Sequence, residues 1–359
     1  MTPMWPDRRL LDLVGIEHPI IQAPMVGPKA DLAASVSLGG GLGSLACATL
    51  GPDDVRKEAG LIRQRTQGPF NLNFFCHTPP VPDAQREGVW KARLAPYYAE
   101  MGLDPNEPVR MANRTPFDAT MCDAVVALRP KVVSFHFGLP EPALVARVKD
   151  AGCLVFSSAT TAEEARWLEA HGADAIIAQG AEAGGHRGMF LTTDVASQAG
   201  TFALVPQVAD AVRVPVIAAG GIGDARGIVA ALALGACAVQ MGTAYLFCPE
   251  SNVSAVHRAA LKSARDDTTA LTNVFTGRPA RGVLNRAVRE LGPIAADAPA
   301  FPLAATALQP LRTHAEGRGS GDFSPLWSGQ AASLGRELGA TELTRSLAAR
   351  ALEHAFLAR

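Results

Sequence analysis

Residues 153–180 read CLVFSSATTAEEARWLEAHGADAIIAQG. Two apolar runs, CLVFSSA at 153–159 and DAIIAQG at 174–180, flank one segment with helical period. Thr161 is placed to cap that helix, Glu164 completes a capping box, and Gly172 stops it. Neither run alternates strictly between apolar and polar residues, so each reads as a strand covered on both faces. Strands of that kind, joined through helices, pair in parallel.

The same unit recurs along the chain. Further apolar runs lie at 19–25, 40–46, 70–76, 131–138, 215–221 and 236–242, which makes eight. Asp224 and Gly235 mark the start and stop of another helix between two of them. Eight strand–helix units predict a closed α/β cylinder, the (β/α)8 or TIM barrel. An open doubly wound sheet fits less well, because the first strand runs into QAPMVGP and lacks the G-x-G-x-x-G turn of that fold. Two stretches stand outside the repeat: a proline- and aromatic-rich insertion at 77–125 after strand three, and residues 249–330 after strand eight. The expected organisation is a barrel over 1–248 that carries the insertion, a helical and loop subdomain over 249–330 on the substrate side, and a C-terminal segment, 331–359, with helical period from about 330 that packs back on the barrel. The glycines from Gly317 to Gly321 predict a mobile loop.

Composition narrows the function classes. The chain has 359 residues, 48% hydrophobic, with a formal net charge of −1. No basic block suggests nucleic acid or a membrane surface, and no apolar run is long enough to span a bilayer. MTPMWPDRRLLDLVG at the start has no apolar signal core, so a cytoplasmic location is expected. Six scattered cysteines form no C-x-x-C pair, which favours free thiols over disulfides or a metal site.

In a parallel barrel, chemistry collects at the C-terminal ends of the strands. That rule selects Ala23, Pro24 and Met25 after strand one, Asn73 on strand three, His136 on strand four, and Ser157 and Ser158 on strand five. It then selects Gln179 with the Gly184–His186 turn at strand six, Gly220, Gly221 and Gly223 at strand seven, and Gln240, Met241, Gly242 and Thr243 at strand eight. Glycines on the last two loops let backbone N–H groups approach a phosphate closely, and Thr243 adds a hydroxyl. Those glycines could equally serve only tight turns. The amides Asn73, Gln179 and Gln240 donate and accept at once, which suits a flavin ring whose phosphate sits on loops seven and eight. His186 then falls beside the ring as a candidate base. His136 is either a second active-site group or a satisfied core histidine. His77 is a weaker candidate, and His171, His257, His314 and His354 read as structural or solvated.

The segments PIIQAPMVG, FNLNFF, VSFHFG, AIIAQGAEAGGHRG, PVIAAGGIGD, AVQMGTAYLFCPES and SPLWSGQAA together resemble the nitronate monooxygenase family. The resemblance implies a TIM barrel with non-covalent FMN that oxidises alkyl nitronates with O2 to carbonyl compounds and nitrite, with nitroalkanes and propionate 3-nitronate as further substrates. It implies FMN contacts at Ala23 to Met25, Asn73, Gln179, Gly184, Gly221 and Gln240 to Thr243, with His186 as base and His136 as a second active-site histidine. A monomer or homodimer is expected, with small-molecule partners only. The pattern departs from the family at Phe301, which stands before Pro302 where many relatives carry tyrosine. Two alternatives on the same flavin barrel are an NAD(P)H:quinone reductase and an enoyl-acyl-carrier-protein reductase. A non-redox phosphosugar barrel fits less well, because most strand ends lack a lysine or carboxylate.

Overall fold

A computed structural model describes residues 5–25, 27, 29–109 and 114–357, with 355–357 as backbone only. Val26 and Pro28 of the first-strand motif, residues 110–113 of the expected insertion and 358–359 of the C-terminal segment lie outside the described residues. The eight runs form eight parallel strands: Ile20–Gln22, Gly43–Ala46, Phe70–Phe75, Val132–His136, Leu154–Ala159, Ala175–Gln179, Val216–Ala219 and Ala238–Met241. The first pairs with the eighth, with Ile20 opposite Val239. It also meets the second through a parallel bridge between Ile21 and Leu42, where the Gln22 N–H donates to the Leu42 carbonyl at 2.9 Å. Those contacts close the cylinder. Most strand residues are buried, as covering on both faces requires.

Helices ring the strands. The unit read first holds, with one change in its cap. Thr161 accepts from the Glu164 N–H at 3.1 Å, and Gly172 ends the helix at φ +96°. The Glu164 carboxylate does not return to Thr161, as a capping box would have it. It accepts instead from the Thr160 N–H and hydroxyl, both at 2.7 Å, and from the N–H groups of Phe190 and Leu191. A buried carboxylate needs several donors, and here the donors come from the loop behind the sixth strand.

The helix Ala340–Leu357 packs against both Ala30–Leu38 and Ala225–Ala233, the helices after strands one and seven. It therefore stands where the helix of the eighth unit belongs, while strand eight itself is followed only by the four-residue helix Thr243–Leu246. The expected helical period from about 330 begins later, at Ala340. Before it, residues 332–334 form a single 3-10 turn and Gly335 lies flat on the Phe247 ring, where a Cβ would come within 2.2 Å.

Extra chain builds a second layer over the strand ends. The helix Ala84–Met101 from the insertion and the helix Ala304–Gly317 share one core, in which Trp90, Leu94 and Tyr98 meet Phe275, Leu308, Leu311 and Phe323. The insertion ends as a ring helix, Ala119–Leu128, packed between Pro52–Arg65 and Pro142–Asp150. A ribbon of Thr269–Thr272 antiparallel to Ala280–Val283 continues onto the short strand Gly185–His186, with Ala280 opposite His186. The stretch after Gly317 turns through Gly319 at φ +77°. All six cysteines are free thiols, and no described helix is long and apolar enough to cross a membrane.

Candidate active site

A cavity of about 300 Å³ opens at the C-terminal ends of the strands, between barrel and second layer. Parallel register explains why the strand-end residues meet there, since each strand delivers its last side chains to the same end of the cylinder. Ala23, Pro24 and Met25 line the cavity from the first strand, Asn73 from the third and His136 from the fourth. Gln179, Gly184 and His186 line it from the sixth, Gly220 and Gly221 from the seventh, and Gln240, Met241, Gly242 and Thr243 from the eighth. Ser158 joins them. Ser157 instead turns into the wall and donates to the Gly138 carbonyl at 2.8 Å.

The third strand shows how alternation sorts side chains. Asn71, Asn73 and Phe75 point to one side, Leu72 and Phe74 to the other. Phe74 packs in the outer core beside Phe117 and Phe135, and Phe75 faces the cavity. The Asn73 amide nitrogen donates to the Ser134 hydroxyl at 2.9 Å, which holds the amide plane and leaves its oxygen for a ligand.

The His186 turn is tied from several directions. Its carbonyl accepts from Gln179 Nε2 at 2.9 Å and from His136 Nε2 at 3.1 Å. Gln179 Oε1 accepts from the Gly188 N–H at 2.7 Å. A Cβ on Gly188 would come within 2.9 Å of both His136 Cε1 and Ser158 Cβ, so only glycine leaves room there. Arg187 is fully buried and spends its guanidinium on the turn, donating to the carbonyls of Gln179 and Gly180 at 2.6 Å and to Gln198 Oε1 at 3.0 Å. Burial pulls its pKa down to about 10.

Hydrogen bonds fix the state of both histidines. A carbonyl only accepts, so His136 carries its proton on Nε2, and Nδ1 accepts from the Ser158 hydroxyl at 3.0 Å. Both ring nitrogens of His136 are satisfied, and burial holds its pKa down to about 3. His186 Nε2 lies 3.0 Å from Thr276 Oγ1. With the Thr276 hydroxyl donating to the Arg278 carbonyl at 3.3 Å, its oxygen accepts from His186 Nε2–H, and Nδ1 keeps a free lone pair. Burial, and then the Arg114 cation, push the His186 pKa well below the ordinary histidine value. Its ring sits among Phe301 at 5.3 Å, Trp327 at 5.4 Å, and Phe75 and Phe137 at 6.0 Å between centroids. His77 packs edge-on against Phe301 at 4.8 Å, and burial lowers its pKa to about 4.

Across the cavity lie the glycine turns. Gly220 and Gly221 have φ of +115° and +68°, left-handed values that side chains resist. Thr243 Oγ1 accepts from the Gly329 N–H at 2.9 Å and keeps its own proton to donate into the cavity. Glu182 also lines this end, but its carboxylate is taken by the Thr201 N–H and hydroxyl at the start of a helix. This set suits a flavin mononucleotide: main-chain donors with no side chain in the way, a hydroxyl, and the amides of Asn73 and Gln240. A cavity of that size is within the usual range for such ligands, roughly 300–1,000 Å³.

Strand-end reasoning missed the roof. Arg114 of the insertion, and His257, Arg312 and Trp327 from the chain after strand eight, line the same cavity. His257 had read as structural or solvated; it lines the cavity, and its Nε2–H donates to the Trp327 carbonyl, 2.9 Å away. No periodic rule places any of these four. Only the proline- and glycine-broken text around them signals that the chain leaves the barrel.

Comparison with known proteins agrees with this geometry. A family model described as nitronate monooxygenase matches residues 7–350. A nitronate monooxygenase of Pseudomonas aeruginosa is 47% identical over 344 residues, covering 94% of this chain and 97% of the relative. The crystal structure of a nitroalkane oxidase from Streptomyces ansochromogenes superposes with a TM-score of 0.88 at 39% identity, over 98% of this chain and 100% of the other. FabK from Thermotoga maritima superposes at 0.73 with 29% identity, over 98% and 97%.

Proposed function

The chain belongs to the nitronate monooxygenase family, and from that membership we propose that it is an FMN-dependent enzyme that oxidises alkyl nitronates with O2 to carbonyl compounds and nitrite. One observation carries the reading. A neutral imidazole with a free lone pair and a set of glycine-rich phosphate-type turns line the two ends of a single cavity.

The residues that would hold FMN are Ala23 to Met25, Asn73, Gln179, Gly184, Gly220, Gly221 and Gln240 to Thr243. Most would do so through main chain or amide groups. Gln179 has a second task, since its amide already braces the His186 turn. When bound, FMN would supply the redox chemistry, accepting an electron from the nitronate so that O2 can complete the oxidation.

The protein's own groups do the rest. The nitronate anion sits against the aromatic walls of Phe75 and Trp327, which exclude water, with Phe301 packed behind against His186. For a neutral nitroalkane, His186 Nδ1 removes the α-proton. Burial disfavours the imidazolium, but the nitronate formed in the same step is its counter-ion. For a nitronate already ionised, no base is needed, and His186 acts as a hydrogen-bonding wall. His136 holds the turn and moves no proton, because both of its nitrogens are engaged. Propionate 3-nitronate is a candidate substrate on this reading.

The test is anaerobic mixing of the purified yellow protein with ethylnitronate and, separately, with NADH and NADPH. Bleaching of the flavin by nitronate alone, followed by nitrite and aldehyde on admission of air, is the expected result. The sequence motifs also fit a second reading, an NAD(P)H:quinone or enoyl-acyl-carrier-protein reductase. Rapid bleaching by NADPH with indifference to nitronate would favour it and overturn the first.

A further inference from the structure

The charges around the cavity do not balance at the His186 end. Glu182, the one carboxylate among its lining residues, is committed to Thr201. Arg312 is held by Glu316 at 2.8 Å. Arg278 stacks on Phe137 at 3.8 Å and donates to the Met189 carbonyl. Arg114 differs from both. Unlike Arg278 it lines the cavity, and unlike Arg312 it has no carboxylate partner among the described residues; its guanidinium lies 5.7 Å from the centre of the Phe301 ring. His77, His136 and His186 nearby are all held neutral by burial and add no counter-charge.

An arginine cannot relieve its burial by losing a proton at any ordinary pH. A partly buried cation without an anion is costly, so such a group is normally paired. The partner that fits is one that arrives with the substrate. A nitronate carries two oxygens on one planar nitrogen, the same fork that a carboxylate offers to a guanidinium.

We infer that Arg114 is the anion-binding residue of this site: its guanidinium takes the two nitronate oxygens across the cavity from the glycine turns, and so makes the enzyme prefer ionised nitronates over neutral nitroalkanes. This rests on the proposed function and adds to it the residue that sets the charge preference. Phe301 serves as the platform under the guanidinium, so its ring is part of the same device.

The experiment compares Arg114→Met and Arg114→Lys with the wild type on ethylnitronate and on nitroethane, with flavin content measured on each variant. Loss of a charge-assisted pair predicts a rise of about ten- to hundredfold in KM for ethylnitronate in Arg114→Met, with partial recovery in Arg114→Lys. The KM for nitroethane moves less than about threefold, since a neutral ligand makes no such pair. Nitrate, a planar oxyanion that cannot react, serves as a second probe. It competes with ethylnitronate in the wild type and loses affinity by the same factor in Arg114→Met.

Equal KM values in wild type and Arg114→Met would overturn the inference. So would nitrate that fails to compete with ethylnitronate in the wild type, a result that needs no variant to fold. If the wild type oxidises no nitronate at all, it is the proposed function that fails. Nitrate binding to wild type and Arg114→Lys, followed by calorimetry, then still decides the role of Arg114.

Discussion

The floor and the roof of the cavity are built under different rules. The floor is made of strand ends. Its side chains are small or amide-bearing, and their positions follow from the parallel register of eight strands. The roof comes from the insertion and from the chain after strand eight. It carries the bulky and charged groups Arg114, Arg312 and Trp327, with Phe301 under Arg114, and its geometry depends on a separate core around Trp90, Phe275 and Phe323. The difference teaches that one barrel can keep a floor suited to a flavin while the roof varies to choose what meets it.

The largest effect is expected where floor and roof touch, at His186. His186→Gln should lower kcat/KM for nitroethane by ~10²–10⁴-fold, the usual contribution of a positioned base, while ethylnitronate turnover falls by less than about tenfold. Steady-state assays with both substrates check this. Equal losses on the two would mean that the ring braces the roof and removes no proton.

Gly188→Ala probes the floor alone. The new Cβ would press on His136 and Ser158 at 2.9 Å, neither of which can swing away without breaking a hydrogen bond. Overpacking of this kind costs about 1–3 kcal/mol, measurable as a lower unfolding midpoint in urea, with the His186 turn displaced. An unchanged midpoint with full activity would show that the floor is softer than its hydrogen bonds indicate.

His136→Phe probes the same clamp through pH. Folded His136 has its pKa depressed to about 3 and His77 to about 4, against about 6.5 in an unfolded chain. Their contribution is therefore complete above about pH 6.5. It is lost as pH falls from there towards 4 and then 3, because only the unfolded chain takes up the protons. Each histidine adds up to ~1.4 kcal/mol per pH unit to that decline. His136→Phe should flatten the loss of stability between pH 6.5 and 4, read from urea titrations at several pH values. A curve as steep as the wild type would put the acid sensitivity elsewhere.

The smallest effect is expected at Phe301. Phe301→Tyr adds a hydroxyl beside His77 and below Arg114. A single neutral hydrogen bond is worth about 1 kcal/mol, so KM for small nitronates should change by less than about fivefold, with flavin content unaltered. A larger change would mean that the roof contributes more to binding than its charge alone.

These regions were unequally legible in the sequence. The floor could be read because runs such as DAIIAQG and PVIAAGG end at fixed places and a parallel barrel turns every such end the same way. Phe74 and Phe75 show the limit of that reading: both belong to one strand, and only the alternation of faces decides which sees the cavity. The second task of Glu164, reaching the loop at Phe190, depends on tertiary contact and leaves no mark at its own position. Arg114 was invisible for a stronger reason. It sits in an insertion outside the strand–helix repeat, and no periodicity in its neighbourhood encodes its contact with Phe301.

The central claim is that the floor cradles FMN with His186 beside the ring, and electron density from crystals of the flavin-loaded protein tests it most directly. The account predicts the phosphate on the main-chain N–H groups of the turns at Gly220–Gly221 and Gly242–Thr243, with the ring system against Asn73 and Gln240 and the His186 imidazole facing its edge. A phosphate bound elsewhere, with those turns left open and His186 directed away from the flavin, would contradict it.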